Sequence, residues 1–470
     1  MKMTNRFRLL TLAVSITIIG STQSRGAQIG DVFVINLENT NWTQPDGNVA
    51  SIINNTSSGG TVGAAGAHQQ IFGNAAAPFI NSLVTPGNAN AAQVSYASHY
   101  LNVLANSTSD TPSIHPSEPN YIWQESGSNF GVTSDAEPYG TGGSVATIAS
   151  YLSSHPTAVG QNLTGLLQSA NISWKSYQEG TGLLSSNNTI FNNGNSGGGT
   201  LTNNVASAAQ KTVPLQSFSG TSATYTNAYN GSHQYNFATK HDGQLFFSAT
   251  NGGNDITTNN VEASHYSALE QLQSDLTNNT VGRYNLITPD QFNDMHTGLT
   301  GSFVYNGVTY TGGWGKQIAQ GDNFLSIIIP QIMASQAYQN NGAIVIWTDE
   351  TEPDATTSSQ NGTNHTLAEI VISPLAKGNA YNSSISYDHS SDVTMLQEVF
   401  GVAASTPTGL LSFNSTIANG GTADPANQGD LSDLFVAGTI PQSVPEPSAF
   451  IGLLGGVAII GMHRRRTRLA

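Results

Sequence analysis

The 470-residue sequence contains no cysteine. That excludes a disulfide framework and any thiolate metal site. Charge is also scarce, at 9% of residues, and positive charge is scarcest: 14 lysines and arginines face 29 aspartates and glutamates. Most of those cations sit in the two ends of the chain. Between the ends only Lys175, Lys211, Lys240, Arg283, Lys316 and Lys377 remain. So acidic a body carries no electrostatic footprint for nucleic acid or for an anionic membrane surface. Pro-rich linkers, charged linkers and internal repeats are missing too, so the body reads as one large α/β domain with loop insertions. What it does have is 38% hydrophobic residues, with aromatics spread along the chain, enough to build a sizeable core.

The ends differ from the body. Lys2, Arg6 and Arg8 precede an apolar run from Leu9 to Ile19, and small and polar residues follow to Ala27. This is a secretory signal layout over 1–27. At the other end, Val444-Pro445-Glu446-Pro447 leads into the apolar stretch Ala449 to Met462, closed by Arg464, Arg465, Arg466 and Arg468. An apolar stretch closed by arginines is a stop-transfer pattern with its positive end in the cytoplasm. The tail, 444–470, resembles the PEP-CTERM sorting signal. That resemblance implies a Gram-negative source, transient inner-membrane anchoring, processing by an exosortase, and export to the cell surface or extracellular matrix. Residues 402–443 read as a stalk before the tail.

Within the body, short apolar runs end in chemistry-bearing residues. Asp31 to Asn36 suits a buried parallel strand and is followed by Leu37-Glu38-Asn39. Arg283 to Pro289 is a second strand and precedes Asn293-Asp294-Met295-His296. Ala343 to Thr348 is the clearest strand and precedes Asp349-Glu350, and Leu367 to Ser373 is a further buried strand. Helices are expected over Ala263 to Leu276, Asp322 to Ser335 and Ser391 to Phe400. The polar segment Ser185 to Ser232 reads as an insertion. Ligands of open parallel sheets bind at the carboxyl ends of strands, where these groups would gather. Carboxylates and imidazoles around a hydroxyl suit a hard or borderline divalent metal.

The hydroxyl comes from His115-Pro116-Ser117-Glu118-Pro119-Asn120-Tyr121. Serine is a favoured N-cap and proline is favoured in a first helical turn. The segment therefore reads as a helix start with a serine at its anion-attracting end.

Taken together, these pieces resemble the phosphoesterase family of acid phosphatases and phospholipases C, in the alkaline phosphatase superfamily. The resemblance runs from about Asp31 to Gly401, so residues 28–401 form the expected catalytic domain. In family order come Val34-Ile35-Asn36-Leu37-Glu38-Asn39, the Ser117 segment, Ser173 to Glu179, Lys240-His241, Asn293 to His296, Asp349-Glu350 and Tyr387 to Ser391. Two departures stand out: Asp242 and Gly243 follow the Lys-His pair where the family often has Asn-Pro, and the 185–232 insertion is long.

The resemblance implies an alkaline-phosphatase-like, mostly parallel central sheet with helices on both faces. It implies a hydrolase of phosphoric ester bonds that depends on a divalent metal of unspecified identity. Ser117 would be the nucleophile and a metal ligand. Glu38, Asn39, Asp349 and Glu350 would hold the metal. The backbone N–H after Ser117 and the Asn120 amide would grip the transferring group. His241, Asp294 and His296 would either complete a second metal site or protonate the leaving group. Glu179 would orient a ligand, and His365 and His389 are further candidates. The Ser-Glu-Pro-Asn form fits phosphomonoester hydrolysis. A phosphodiesterase or phospholipase C is the alternative, which an apolar rim near Trp123 and Trp314 would favour. A non-catalytic surface or matrix protein is a second alternative.

Overall fold

The computed structural model describes residues 27–45, 68–102, 114–130, 132, 135, 161–181, 213, 217–223, 225–252, 261–353, 365–406, 409–411 and 429–441. The expected sorting tail, nearly all of the signal segment and much of the insertion lie outside these residues. Among the described residues, no helix is long and apolar enough to cross a membrane.

Twelve strands are described: β1 (Val32–Leu37), β2 (Val94–Tyr100), β3 (Trp174–Gln178), β4 (Phe218–Thr221), β5 (Gln234–Phe237), β6 (Tyr266–Ala268), β7 (Tyr284–Thr288), β8 (Phe303–Tyr305), β9 (Val308–Tyr310), β10 (Ala343–Thr348), β11 (Glu369–Ile372) and β12 (Tyr381–Tyr387). Eight form one sheet in the order β12-β2-β11-β10-β1-β7-β3-β6. The run β10-β1-β7-β3-β6 is parallel throughout. Only β11 runs against its neighbours β10 and β2. The mostly parallel α/β architecture is therefore as the sequence suggests.

Among the described residues the α-helices are α1 (Pro78–Leu83), α2 (Ser117–Ser126), α3 (Leu163–Ser169), α4 (Leu272–Asn278), α5 (Gly313–Met333), α6 (Gln336–Gln339) and α7 (His389–Phe400). They cover both faces of the sheet, and strand alternation decides which side chain meets which helix. Phe33, Ile35 and Leu37 pack in one core with Ile80 of α1, Leu276 of α4 and Ile328 of α5. Val32 and Val34 point the other way, into a core with Tyr121 of α2, Leu167 of α3 and Leu396 of α7. Burial on both faces explains why β1 and β10 are uninterrupted buried runs.

Four elements differ from the sequence expectation. The helix expected over Ala263 to Leu276 is broken: 3-10 turns flank β6, and only Leu272–Asn278 is α-helical. Tyr266 sets its ring edge-on to Trp174 at 5.5 Å and pairs along the β3 edge, so tertiary pairing overrides the apolar spacing. Helix α5 starts at Gly313, nine residues before the expected Asp322. Strands β2 and β12 carry no clear apolar signal: β2 is mostly buried but mixes Ser95, Ser98 and His99 among its apolar residues, and β12 is a polar edge strand with mostly exposed or half-buried side chains.

Asp322 shows how a helix interior stabilises its neighbour. No side chain caps α1 at Ala77. The buried Asp322 carboxylate of α5 supplies the missing acceptors, at 2.7 Å to the Ile80 N–H and 2.9 Å to the Phe79 N–H, and takes the Tyr305 hydroxyl at 2.9 Å. We predict that Asp322→Ala lowers the unfolding free energy by about 2–4 kcal/mol, because it strands buried donors. A urea midpoint within error of the wild type would contradict this role.

Candidate active site

Strands β1 and β10 are parallel neighbours in the register Leu37↔Thr348. The residues that follow them therefore emerge side by side, Glu38 and Asn39 from one strand and Asp349 and Glu350 from the other. Asn39 takes a left-handed turn (φ 40°), and its N–H donates to Asp349 Oδ1 at 3.0 Å. The loop after β7 joins them: the Asp294 carbonyl accepts the Glu38 N–H at 2.7 Å. Gly321 of α5 gives this loop room, since a Cβ there would lie 2.4 Å from Met295 Cγ.

Helix α2 arrives at the same edge, and its ten residues are all buried. Pro116 is the N-cap and Ser117 is the first helical residue, one position later than the capping role read from the sequence. Ser117, Asn120 and Tyr121 share a face by helical spacing. Ser117 Oγ lies 3.1 Å from Glu38 Oε2, 3.2 Å from Glu350 Oε1 and 3.5 Å from Asn39 Oδ1.

Beyond Glu38 lies a second group. His241 Nε2 is 3.2 Å from Glu38 Oε1, and His241 Nδ1 is 3.6 Å from Asp294 Oδ2. Tyr121 stacks on the His241 ring at 5.1 Å and donates its hydroxyl to Glu38. Gly243 allows this packing, because a Cβ there would sit 2.1 Å from the Tyr121 carbonyl oxygen. His296 is half-buried, with its ring 6.1 Å from that of His241.

Burial dominates the electrostatics. It pushes the Glu38, Asp294 and Asp349 carboxyls well above their ordinary range, with neighbouring carboxylates adding to the rise. Burial takes Glu350 up to about 8, with Asp135 adding to the rise. The same burial, reinforced by Lys240, depresses His241 well below its usual value and lowers His296 to about 4. At neutral pH both rings keep their lone pairs.

The donor set fits a divalent cation. Glu38, His241 and Asp294 present ligand atoms within 4.8 Å of one another. Both His241 nitrogens, Asp294 Oδ2 and Asp349 Oδ2 are buried with no hydrogen-bond partner. Oxygen and imidazole donors of this kind suit a hard or borderline metal.

The residues expected at the site therefore gather at the carboxyl ends of the central strands, although two expected donors point elsewhere. The Asn120 amide nitrogen donates to the carbonyls of Ile114 (3.0 Å) and Pro116 (3.3 Å) and to Glu350 Oε2 (3.3 Å), so it braces Glu350 and the chain before Ser117. The Glu118 N–H donates to Asp135 Oδ1 at 3.1 Å, and Lys240 Nζ holds Asp135 Oδ2 at 2.6 Å.

His389 Nε2 lies 2.6 Å from the Asp349 carbonyl oxygen, which can only accept, so the ring fixes the backbone beside the site. His365 is fully buried. Glu179 takes the amides of Asn227 (2.6 Å) and Asn293 (2.7 Å) and the Asp290 N–H (2.9 Å), tying down the loop that carries Asp294. Trp123 is fully buried, with its indole N–H on Ser390, so it cannot form an apolar rim.

Tyr121, Asp135 and Glu352 were not singled out from the sequence. Tyr121 had a usable signal, lying one helical turn after Ser117. Asp135 had none, because only the folded chain brings it to Lys240.

Several solved structures resemble this chain at low similarity. The lipoteichoic acid synthase LtaP from Listeria monocytogenes is 10% identical, with 85% of this chain and 76% of that chain covered at a TM-score of 0.39. A protein in the alkaline phosphatase superfamily from Vibrio parahaemolyticus is 11% identical, with 82% and 70% covered at 0.38. The PsFucS1 sulfatase from Pseudoalteromonas sp. is 10% identical, with 87% and 74% covered at 0.39. Likeness at this level carries no argument about chemistry. No curated protein matches the chain. The sequence model of the Phosphoesterase family matches residues 89–403, and the protein belongs to that family, as a hydrolase acting on ester bonds.

Proposed function

We propose that the protein hydrolyses phosphomonoesters through Ser117 with the help of a divalent metal. One observation carries this reading: the Ser117 hydroxyl sits at the first residue of a buried helix, within 3.1–3.5 Å of Glu38, Glu350 and Asn39. A divalent cation held by Glu38, Asn39, Asp349 and Glu350 around Ser117, with Asp294 and His241 alongside, would lower the hydroxyl's pKa and offset phosphoryl charge.

The chain's own groups supply the rest. Ser117 Oγ bonds to phosphorus while the bond from phosphorus to the leaving oxygen breaks. The hydroxyl proton passes to the Glu350 carboxylate, and the leaving oxygen takes a proton from solvent or from His296, which becomes a donor as the pH falls toward 4. Water then attacks the phosphoseryl phosphorus and gives up a proton to solvent, the bond from Oγ to phosphorus breaks, and Ser117 takes back the proton held by Glu350. Glu118 N–H and Lys240 Nζ converge on the Asp135 carboxylate, which supports an oxyanion subsite at the start of α2.

Asn120 serves here as a brace for Glu350. His241 belongs with the ligands. We further infer that the protein acts outside the cytoplasm, from the N-terminal signal layout and the Pro-Glu-Pro tail.

Turnover of p-nitrophenyl phosphate and its bis-ester by the full chain tests the reading. Monoester turnover should require metal and fall on the order of 10³-fold or more in Ser117→Ala. Turnover of the bis-ester alone would move the assignment to a phosphodiesterase, and undiminished activity in the variant would remove the nucleophile.

Asp135→Ala should release the Glu118 N–H and Lys240 for an anion. Competitive inhibition by inorganic phosphate should then tighten by up to about tenfold, equivalent to about 1.4 kcal/mol. An unchanged or weaker inhibition constant would argue against the subsite.

The raised carboxyl pKa values also set a pH dependence. Glu350 stands near 8, and Glu179, Asp242 and Asp322 near 7, each lifted by burial. Unfolded carboxyls release their protons near pH 4. Between these values the folded chain binds more protons than the unfolded chain, so stability falls as pH rises. The melting temperature of the chelated protein should therefore drop from pH 5 to pH 8, and added metal should flatten the drop. A melting temperature that rises over this range in chelator would refute the assignment.

A further inference from the structure

We infer that a second divalent cation, of the borderline class that takes mixed nitrogen and oxygen ligands, binds on the outer side of Glu350, between His115, Glu350 and Glu352. The inference rests on the metal-dependent reading above for the inner site and goes beyond it, since neither His115 nor Glu352 has a part in that reading.

The two oxygens of Glu350 have different partners. Oε1 lies 3.2 Å from Ser117 Oγ, whereas Oε2 lies 2.7 Å from His115 Nδ1. One carboxylate can thus serve an ion on each side. His115, Glu350 and Glu352 present ligand atoms within 4.8 Å of one another, as a group separate from Glu38, His241 and Asp294. Imidazole nitrogen with carboxylate oxygen matches manganese, iron or zinc better than calcium or magnesium.

Supporting contacts fix each ligand, as metal ligands require. The Asn41 amide grips the Glu352 backbone from both sides: its Oδ1 accepts the Glu352 N–H at 2.9 Å and its Nδ2 donates to the Glu352 carbonyl at 2.8 Å. The Asn120 amide does the same for His115, binding the carbonyls of Ile114 and Pro116 on either side of it while also donating to Glu350 Oε2. Behind Glu352 stands His68, its Nε2 3.5 Å from Glu352 Oε2 and its ring stacked on Trp314 at 3.4 Å.

The two groups differ in access. The side chains of Glu38, His241 and Asp294 are 0–2% exposed, whereas those of His115 and Glu352 are 15% and 11% exposed. Three protein ligands with an open side is the arrangement that leaves a coordination position for water or an anion. A simple pair between His115 and Glu350 accounts for the 2.7 Å contact but does not involve Glu352, whose backbone Asn41 holds in place.

The test is to strip the full chain with chelator, reload it with Mn²⁺ alone, dialyse, and count ions per chain by elemental analysis. The wild type should hold one more equivalent than either Glu352→Gln or His115→Gln; the second variant decides if the first fails to fold. Asp349→Asn serves as the inner-site control. If both outer variants hold as many ions as the wild type while Asp349→Asn loses one, the outer site is wrong and the metal-dependent reading stands. If the wild type holds none, both fall.

Discussion

Four carboxylates, Glu38, Asp294, Asp349 and Glu350, are buried together at one edge of the sheet. Taking that much negative charge out of water is costly unless protons, donors or a cation offset it. Much of the local structure answers this constraint. Tyr121 and Asn39 donate to the cluster, Lys240 lies near enough to lower the Glu38 and Asp294 carboxyls, and Asp294 Oδ2 and Asp349 Oδ2 stay unpaired. A metal-assisted hydrolase is the function in which the same repulsion becomes useful, since binding the cation relieves it.

The frame that holds the carboxylates together is rigid for separate reasons. The strands β1 and β10 are buried on both faces, and their parallel register leaves no freedom in where Glu38 and Asp349 emerge. Helix α2 is buried along its whole length and braced by Gly243 beneath Tyr121. The loop carrying Asp294 and His296 is less regular, and Glu179 compensates with three hydrogen bonds to it and its surroundings. His389 holds the Asp349 backbone from the opposite side. Precision at such a site comes from these supporting contacts as much as from the residues at its centre.

The polarity of Glu350 links the proposals. Its Oε1 faces Ser117, and its Oε2 faces His115 and Asn120. Asn120, expected to touch substrate, instead spans both sides through one amide group. A sequence motif names the residue types at such a place but leaves open which way each side chain turns.

The sequence by itself determined the strands that end in Glu38-Asn39 and Asp349-Glu350, because doubly buried parallel strands are written as continuous apolar runs. It also determined the serine at the start of α2, through proline and helical spacing, and the family to which those pieces belong. Tertiary structure alone decided the rest. It broke the expected 263–276 helix by pairing Tyr266 to the edge of β3, and it buried Trp123 against Ser390. It also turned the Asn120 amide and the Glu118 N–H away from their expected partners and brought Asp135 to Lys240. Those outcomes depend on contacts between residues far apart in the chain, and local patterns of hydropathy and turn chemistry carry no record of them.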